Sequence, residues 1–222
     1  MSATATADAT TVSPPSRTKR LVVMGVLLAA ALAIALVGRY FRPLPPLVPI
    51  GQLPAFSLVD QRGAKFDPAS LAGKPWVADF IFTTCKQSCP RLTARMTQLH
   101  DRLAKKRGGK DLGVRFVSFS VDPENDTPEV LGAYAARVGA DPSSWWFVTG
   151  PSDDVQRAVV NGFKVTAQRI DKGAGEYDVL HGNWFVVGDG AGMIRGYYGV
   201  DTDDDVDVIA RDLLRIVDEA SR

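Results

Sequence analysis

The sequence predicts an α/β domain, a mixed sheet flanked by helices, preceded by one N-terminal transmembrane helix. Three observations predict it. Leu21 to Gly38 (LVVMGVLLAAALAIALVG) runs without a charge. Beyond it, apolar strand-like runs alternate with amphipathic helical patterns, the arrangement that makes a sheet covered by helices. Cys85 and Cys89, the two cysteines among 222 residues, stand between one such run and one such helix.

Residues 1–20 are rich in Ala, Thr and Ser, lack periodicity and end in Arg17, Lys19 and Arg20, so a disordered tail is expected. Residues 21–38 would make roughly 27 Å of helix, close to the ~30 Å hydrocarbon core. A cleaved signal peptide is the competing reading. Ala31-Leu32-Ala33 has the form of a cleavage site, but the apolar run continues past it. Three cations before the span against Arg39 and Arg42 after it favour an inside N-terminus. Either reading delivers the rest of the chain to the outer side of the membrane, periplasmic in a bacterium. That side is oxidising, and a cysteine pair there tends toward a disulfide unless a metal or a reductase holds it. Residues 39–48, with Arg42-Pro43-Leu44-Pro45-Pro46-Leu47, read as a stiff extended spacer. Residues 49–222 are enough for one domain with its own core. The net charge is +1, and no basic stripe with interleaved aromatics occurs, which excludes nucleic acid as a partner.

Along that domain, Phe56–Val59 and Ala64–Phe66 flank the turn Asp60-Gln61-Arg62-Gly63 and predict a hairpin. Trp76–Thr84 is almost continuously apolar, the mark of a central strand covered on both faces. Leu92, Met96, Leu99 and Leu103 recur at helical spacing after the cysteines, with Pro90 in the first turn and Arg107-Gly108-Gly109 as the stop. Val114–Val121 predicts a second central strand. Thr127 can cap a helix to about Val138, with Pro128 at its first position. Trp146–Val148 predicts a short strand and Asp153–Asn161 a helix; Glu176–Leu180 reads as a polar loop. Asn183–Val187 and Met193–Tyr198 are strands joined around Asp189-Gly190. Thr202 and Asp205 form a capping box for a last helix to about Glu219. The whole is a thioredoxin-like layout.

Strand, turn, cysteine pair and helix in succession point to thiol chemistry. The spacing is Cys-x-x-x-Cys, one residue longer than a dithiol oxidoreductase usually has, and the extra residue can turn both sulfurs toward one external point. A disulfide across so short a loop would add little stability. The helix N-terminus and Lys86 both favour thiolates. The pair can hold a metal or exchange electrons.

Two histidines are available as a third ligand. His100 lies eleven residues past Cys89 on the same predicted helix, ~16 Å along its axis, and cannot share an ion bound there. His181 precedes the strand at Asn183 and stands at an edge of the fold; spacing alone leaves it open between ligand and bystander. Two thiolates and an imidazole would suit Cu(I), and Cu(II) with a water or carboxylate added, whereas structural zinc prefers four protein ligands.

The Cys-x-x-x-Cys-Pro turn after an apolar strand, the block Val121-Asp122-Pro123-Glu124-Asn125-Asp126-Thr127-Pro128-Glu129, and a His eight residues before Asp189 resemble the SCO/SenC family. The resemblance covers the soluble domain and the single N-terminal anchor. It implies a thioredoxin-like copper protein of cytochrome c oxidase assembly, with copper ligands at Cys85, Cys89 and His181. The implied partners are the copper-bearing oxidase subunit and another copper chaperone. The chain departs from the family pattern at Lys86-Gln87, where Pro-Asp is usual, and at Gly182 and Val186, where Ser or Thr and a Tyr are usual.

The function expected is therefore a metallochaperone for the copper A centre of the oxidase. The alternative is a membrane-anchored thiol–disulfide oxidoreductase that reduces the cysteines of that centre or of other exported proteins. A peroxiredoxin is excluded by Phe82 and Ala78, where its reactive cysteine would need Thr and Pro. Asp122 is expected to turn the chain before Pro123, with a place beside the metal as the alternative. The acidic run Asp201, Asp203, Asp204, Asp205 and Asp207 suits a helix N-terminus, and Trp145-Trp146 suits core and rim packing.

Overall fold

The computed structural model describes residues 17–40, 45–85, 88–106, 112–173 and 176–221, with side chains except at 18–20, 22–23, 36–40, 167–173 and 176–181. Two compact units make up the chain, residues 1–46 and residues 47–222.

In the first unit, α1 (Arg17–Tyr40) covers the apolar run and begins four residues before it, within the expected tail. Among the described residues no helix is long and apolar enough to cross a membrane. The rest of the expected tail, residues 1–16, and residues 41–44 of the spacer lie outside the described residues.

The second unit is built on two parallel strands, β4 (Trp76–Ile81) and β5 (Arg115–Ser120), paired from Trp76 with Arg115 to Ile81 with Ser120. Every residue of β4 is buried. A strand alternates its side chains, so β4 feeds two cores. Val77 and Ile81 pack with α2 (Ser88–Lys106), α3 (Pro128–Arg137) and α5 (Asp203–Ala220). Trp76, Ala78 and Phe80 face the other layer with Leu58, Val155 and Phe163. There Phe163 meets Phe80 and Phe119 edge-on, with ring centroids 5.4 and 5.0 Å away.

Around this pair the sheet reads β1-β10-β9-β4-β5-β6-β2-β3. The added strands are β1 (Gly51–Gln52), β2 (Leu58–Asp60), β3 (Lys65–Phe66), β6 (Trp145–Thr149), β9 (Trp184–Gly188) and β10 (Met193–Gly199). The expected hairpin is present as β2 and β3. Its turn uses Gly63 at φ 76° and the Asp60 carboxylate, which accepts the Arg62 and Ala64 N–H groups at 2.8 and 3.0 Å. Both capping signals hold: Thr127 accepts the Val130 N–H, and Thr202 forms its box with Asp205.

Two expectations change. The helix expected over Asp153–Asn161 is α4 (Ser152–Gln156) followed by a wider π turn, Arg157–Gly162. The Phe163 N–H bonds back to the Ala158 carbonyl five residues earlier, at 2.8 Å, and Phe163 ends fully buried. The polar loop expected at 176–180 is a strand, β8 (Glu176–His181), antiparallel to β7 (Ala167–Gly173) in a separate two-stranded sheet. Alternating Tyr177, Asp178, Val179 carries the period of a strand, and pairing with the strand just before it in the chain realises it.

Gly188 pairs with Trp76 across β9 and β4, and a Cβ there would overlap the buried Trp76 indole. Gly188→Ala should therefore destabilise the domain by roughly 2 kcal/mol or more. Urea unfolding checks this, and a midpoint equal to that of the parent chain would refute it.

Candidate metal centre

The site begins where β4 ends. After Ile81 the chain leaves the sheet through Phe82 and the turn Thr83-Thr84, and Cys85 closes that turn with its N–H on the Phe82 carbonyl at 3.3 Å. Because β5 runs parallel to β4, the loop after Ser120 leaves the same edge of the sheet. Asp126 in that loop is fully buried and joins the two loops. Its carboxylate accepts the Thr83 N–H at 3.2 Å, the Thr83 hydroxyl, and the Ser120 hydroxyl at 2.6 Å. Burial pushes the Asp126 carboxyl above its ordinary range, and the Ser120 and Thr83 bonds pull against that shift. Asp122 folds its own loop: its backbone carbonyl accepts the Asn125 and Asp126 N–H groups, and its carboxylate accepts the Asn125 amide at 3.1 Å.

Cys89 enters α2 in its first turn, ahead of Pro90. Its N–H donates to the Cys85 sulfur at 3.3 Å, so a helix-terminal amide that would otherwise need a cap is spent on Cys85. The Ser88 hydroxyl lies 3.5 Å from the same sulfur. The two cysteines are not joined in a disulfide. They differ in access: Cys85 is half-buried, whereas Cys89 is 1% exposed, with the Phe82 N–H donating to its sulfur at 3.5 Å. Burial pushes the Cys89 thiol far up; the Phe82 N–H lowers it in part, and negative charge on Cys85 or Asp79 would raise it further.

His181 is the last residue of β8, opposite Ala167. Three residues later β9 starts at Trp184, antiparallel to β4 with Val186 opposite Ala78. That register carries the backbone before Trp184 toward the end of β4 from which the cysteine turn leaves. The His181 side chain, like Lys86 and Gln87, lies outside the described residues. Among the described residues no group of three or more His, Cys, Asp or Glu comes together to hold a metal. His100 packs its ring against Phe116, centroids 5.2 Å apart. The acidic run is partly engaged: Asp203 and Asp207 pair with Arg95 and Arg102 of α2, and Asp205 caps α5. Trp145 is buried and Trp146 half-buried, as core and rim.

Residues 51–218 match the family model described as SCO1/SenC. The chain belongs to the SCO1/SenC family. It is 36% identical over 157 residues to the SCO1 protein homolog of Bacillus subtilis, spanning 70% of this chain and 78% of that one. Its fold is similar to that of BsSco, described as a member of the Sco family of cytochrome c oxidase assembly proteins with a disulfide switch. That match has a TM-score of 0.64 and 32% identity, over 77% of this chain and 96% of the other. It is also similar to Bradyrhizobium japonicum ScoI with copper bound, at TM-score 0.63 and 25% identity, over 75% and 99% of the two chains.

The sequence reading missed a residue of this SCO1/SenC domain. Asp79, in the middle of β4 on the face shared by Val77 and Ile81, is fully buried, and among the described residues neither carboxylate oxygen meets a donor at full hydrogen-bond geometry. A lone acid inside an apolar strand was the available signal. Burial lifts its pKa from 3.8 to about 7. The Ser118 hydroxyl on the paired strand, whose oxygen accepts the Trp145 indole N–H at 3.0 Å, pulls it down in part.

A carboxyl whose pKa rises on folding holds its proton more tightly in the folded state. Its contribution to stability is complete below about pH 4 and is lost as the pH climbs through about 7, up to about 4 kcal/mol in all. Asp79→Asn should therefore stabilise the chain at pH 8, by about 2 kcal/mol, and lose that advantage at pH 5. Thermal unfolding at both pH values checks it, and an equal difference at both would refute the buried-acid assignment.

Proposed function

We propose that this protein carries copper for cytochrome c oxidase assembly, with Cys85, Cys89 and His181 holding the ion as cargo and α1 anchoring the domain on the outer face of the membrane. The observation that carries this reading is the pair of sulfurs within one turn of a helix N-terminus, with the Cys89 N–H donating to the Cys85 sulfur at 3.3 Å. Two soft sulfur donors fixed so close together fit Cu(I), and an imidazole from the nearby sheet edge completes a low-coordinate set. Copper must displace the Cys89 proton, so uptake releases acid and strengthens as the pH rises. The ScoI relative with copper bound supports the cargo, and the Sco family of cytochrome c oxidase assembly proteins supports the destination.

The unequal access of the two sulfurs favours a second reading, a thiol–disulfide oxidoreductase. In such a pair the half-buried Cys85, the more accessible of the two, would meet the substrate and the buried Cys89 would resolve the mixed disulfide.

The full chain, reduced and in detergent, should bind one Cu(I). Cys85→Ser, Cys89→Ser and His181→Ala should each weaken binding by about 100-fold or more, roughly 3 kcal/mol. His100→Ala should be silent, because its ring packs on Phe116 away from the cysteines. Competition against a chromophoric Cu(I) chelator measures all four, and loss of binding in His100→Ala with none in His181→Ala would overturn the ligand set.

A strain carrying His181→Ala separates the two readings, since it keeps both thiols. A carrier predicts low assembled oxidase, partly rescued by added copper. Normal oxidase in that strain, with copper binding lost, would leave the reductase.

A further inference from the structure

Cys85 lines one end of a cleft of about 500 Å³ between α2 and α3 that neither reading of the cysteines uses. One wall is a stripe of α2: Pro90, Thr93, Ala94, Thr97 and Gln98 recur at the spacing of a single helix face. This face lies beside the apolar one formed by Leu92, Met96, Leu99 and Leu103, and it carries short side chains and no charge. The floor is closed by the Thr93 and Tyr134 hydroxyls, 2.8 Å apart.

The far wall supplies the single charge among the described lining residues. Arg137 is exposed and lays its guanidinium over the Tyr134 ring, 4.8 Å from the centroid. No described carboxylate pairs with it. Both α2 and α3 follow parallel strands and run back along them, so the helices are parallel to each other. Tyr134 sits abreast of Thr93, and Arg137 therefore lies about one turn further from Cys85, abreast of Thr97. From Pro90 to Thr97 is roughly 11 Å of helix, the reach of three to four residues of extended chain.

A cation at one end, a sulfur at the other and short uncharged side chains between them fit an extended acidic peptide. We propose that this cleft docks a segment of the recipient protein that carries a cysteine, with an aspartate or glutamate three or four residues away held by Arg137. The inference rests on Cys85 being the sulfur a partner meets first, which follows from the burial of Cys89. The planar guanidinium, already oriented by the tyrosine ring, can bind a carboxylate through two N–H donors.

The test uses the full chain in detergent, reduced and free of copper, so that failure of copper uptake leaves the docking result intact. Two fluorescein-labelled peptides, Cys-Gly-Gly-Gly-Glu and Cys-Gly-Gly-Gly-Lys with capped ends, are titrated by anisotropy. The acidic peptide should bind at least about 5-fold more tightly than the basic one. Arg137→Gln should abolish the preference and Arg137→Glu reverse it. Ala94→Trp, which fills the cleft from an exposed position, should weaken both peptides about 10-fold while copper uptake stays unchanged. Equal binding of the two peptides, or indifference to Ala94→Trp, would overturn the proposal. So would binding that tracks self-association of the chain in sedimentation, since a second copy would then be the occupant.

Discussion

The parallel pairing of β4 with β5 is the constraint on which the rest of the second unit depends. Parallel neighbours need a crossover, and α2 and α3 are the crossovers that lead from β4 to β5 and from β5 to β6. Burial of β4 on both faces follows from the same geometry, because helices must cover the sheet on each side. Parallel strands also release their following loops at a common edge. That puts Cys85 and the Asp122–Thr127 loop side by side, though nearly forty residues separate them in the chain.

Proximity alone would leave two loose loops. The Asp126 carboxylate fixes them by accepting from Thr83 on one side and Ser120 on the other. A buried acid with several donors stays satisfied and rigidifies what it joins. Asp79, ten residues before Cys89 and equally buried, has no such set of donors among the described residues. Among the described residues these are the two completely buried carboxyls, with different roles: one ties the cysteine turn to the sheet, the other makes stability depend on pH near neutrality.

The asymmetry between the sulfurs has a simple origin. Cys85 belongs to the turn and Cys89 to the apolar stripe of α2, in register with Leu92 and Met96. A helix that buries one face buries whichever cysteine lies on it. The neighbouring face of the same helix stays short and uncharged beside Arg137, so access to the site is directed along that cleft.

Local signals in the sequence determined a good part of this. Thr127-Pro128 and Thr202 with Asp205 mark helix starts because a capping hydroxyl or carboxylate satisfies amides within three residues. The apolar run Trp76–Ile81 could only be a buried strand, and Cys85, Cys89 and the Asp-Pro-Glu block carried the SCO1/SenC resemblance. Tertiary structure decided what depends on distant partners. Strand β8 is not of that kind: its partner β7 ends at Gly173, three residues before Glu176, so the alternation of Tyr177, Asp178 and Val179 was a local signal. The helix after Ser152 widens because Phe163 must reach the second core. Asp126 acts as a clamp only because parallel pairing brings Thr83 and Ser120 to it, and Arg137 faces the cleft only because α3 packs parallel to α2. Propensity and spacing act over a few residues; which loops share an edge, and which carboxyl is left short of donors, are set when the sheet closes.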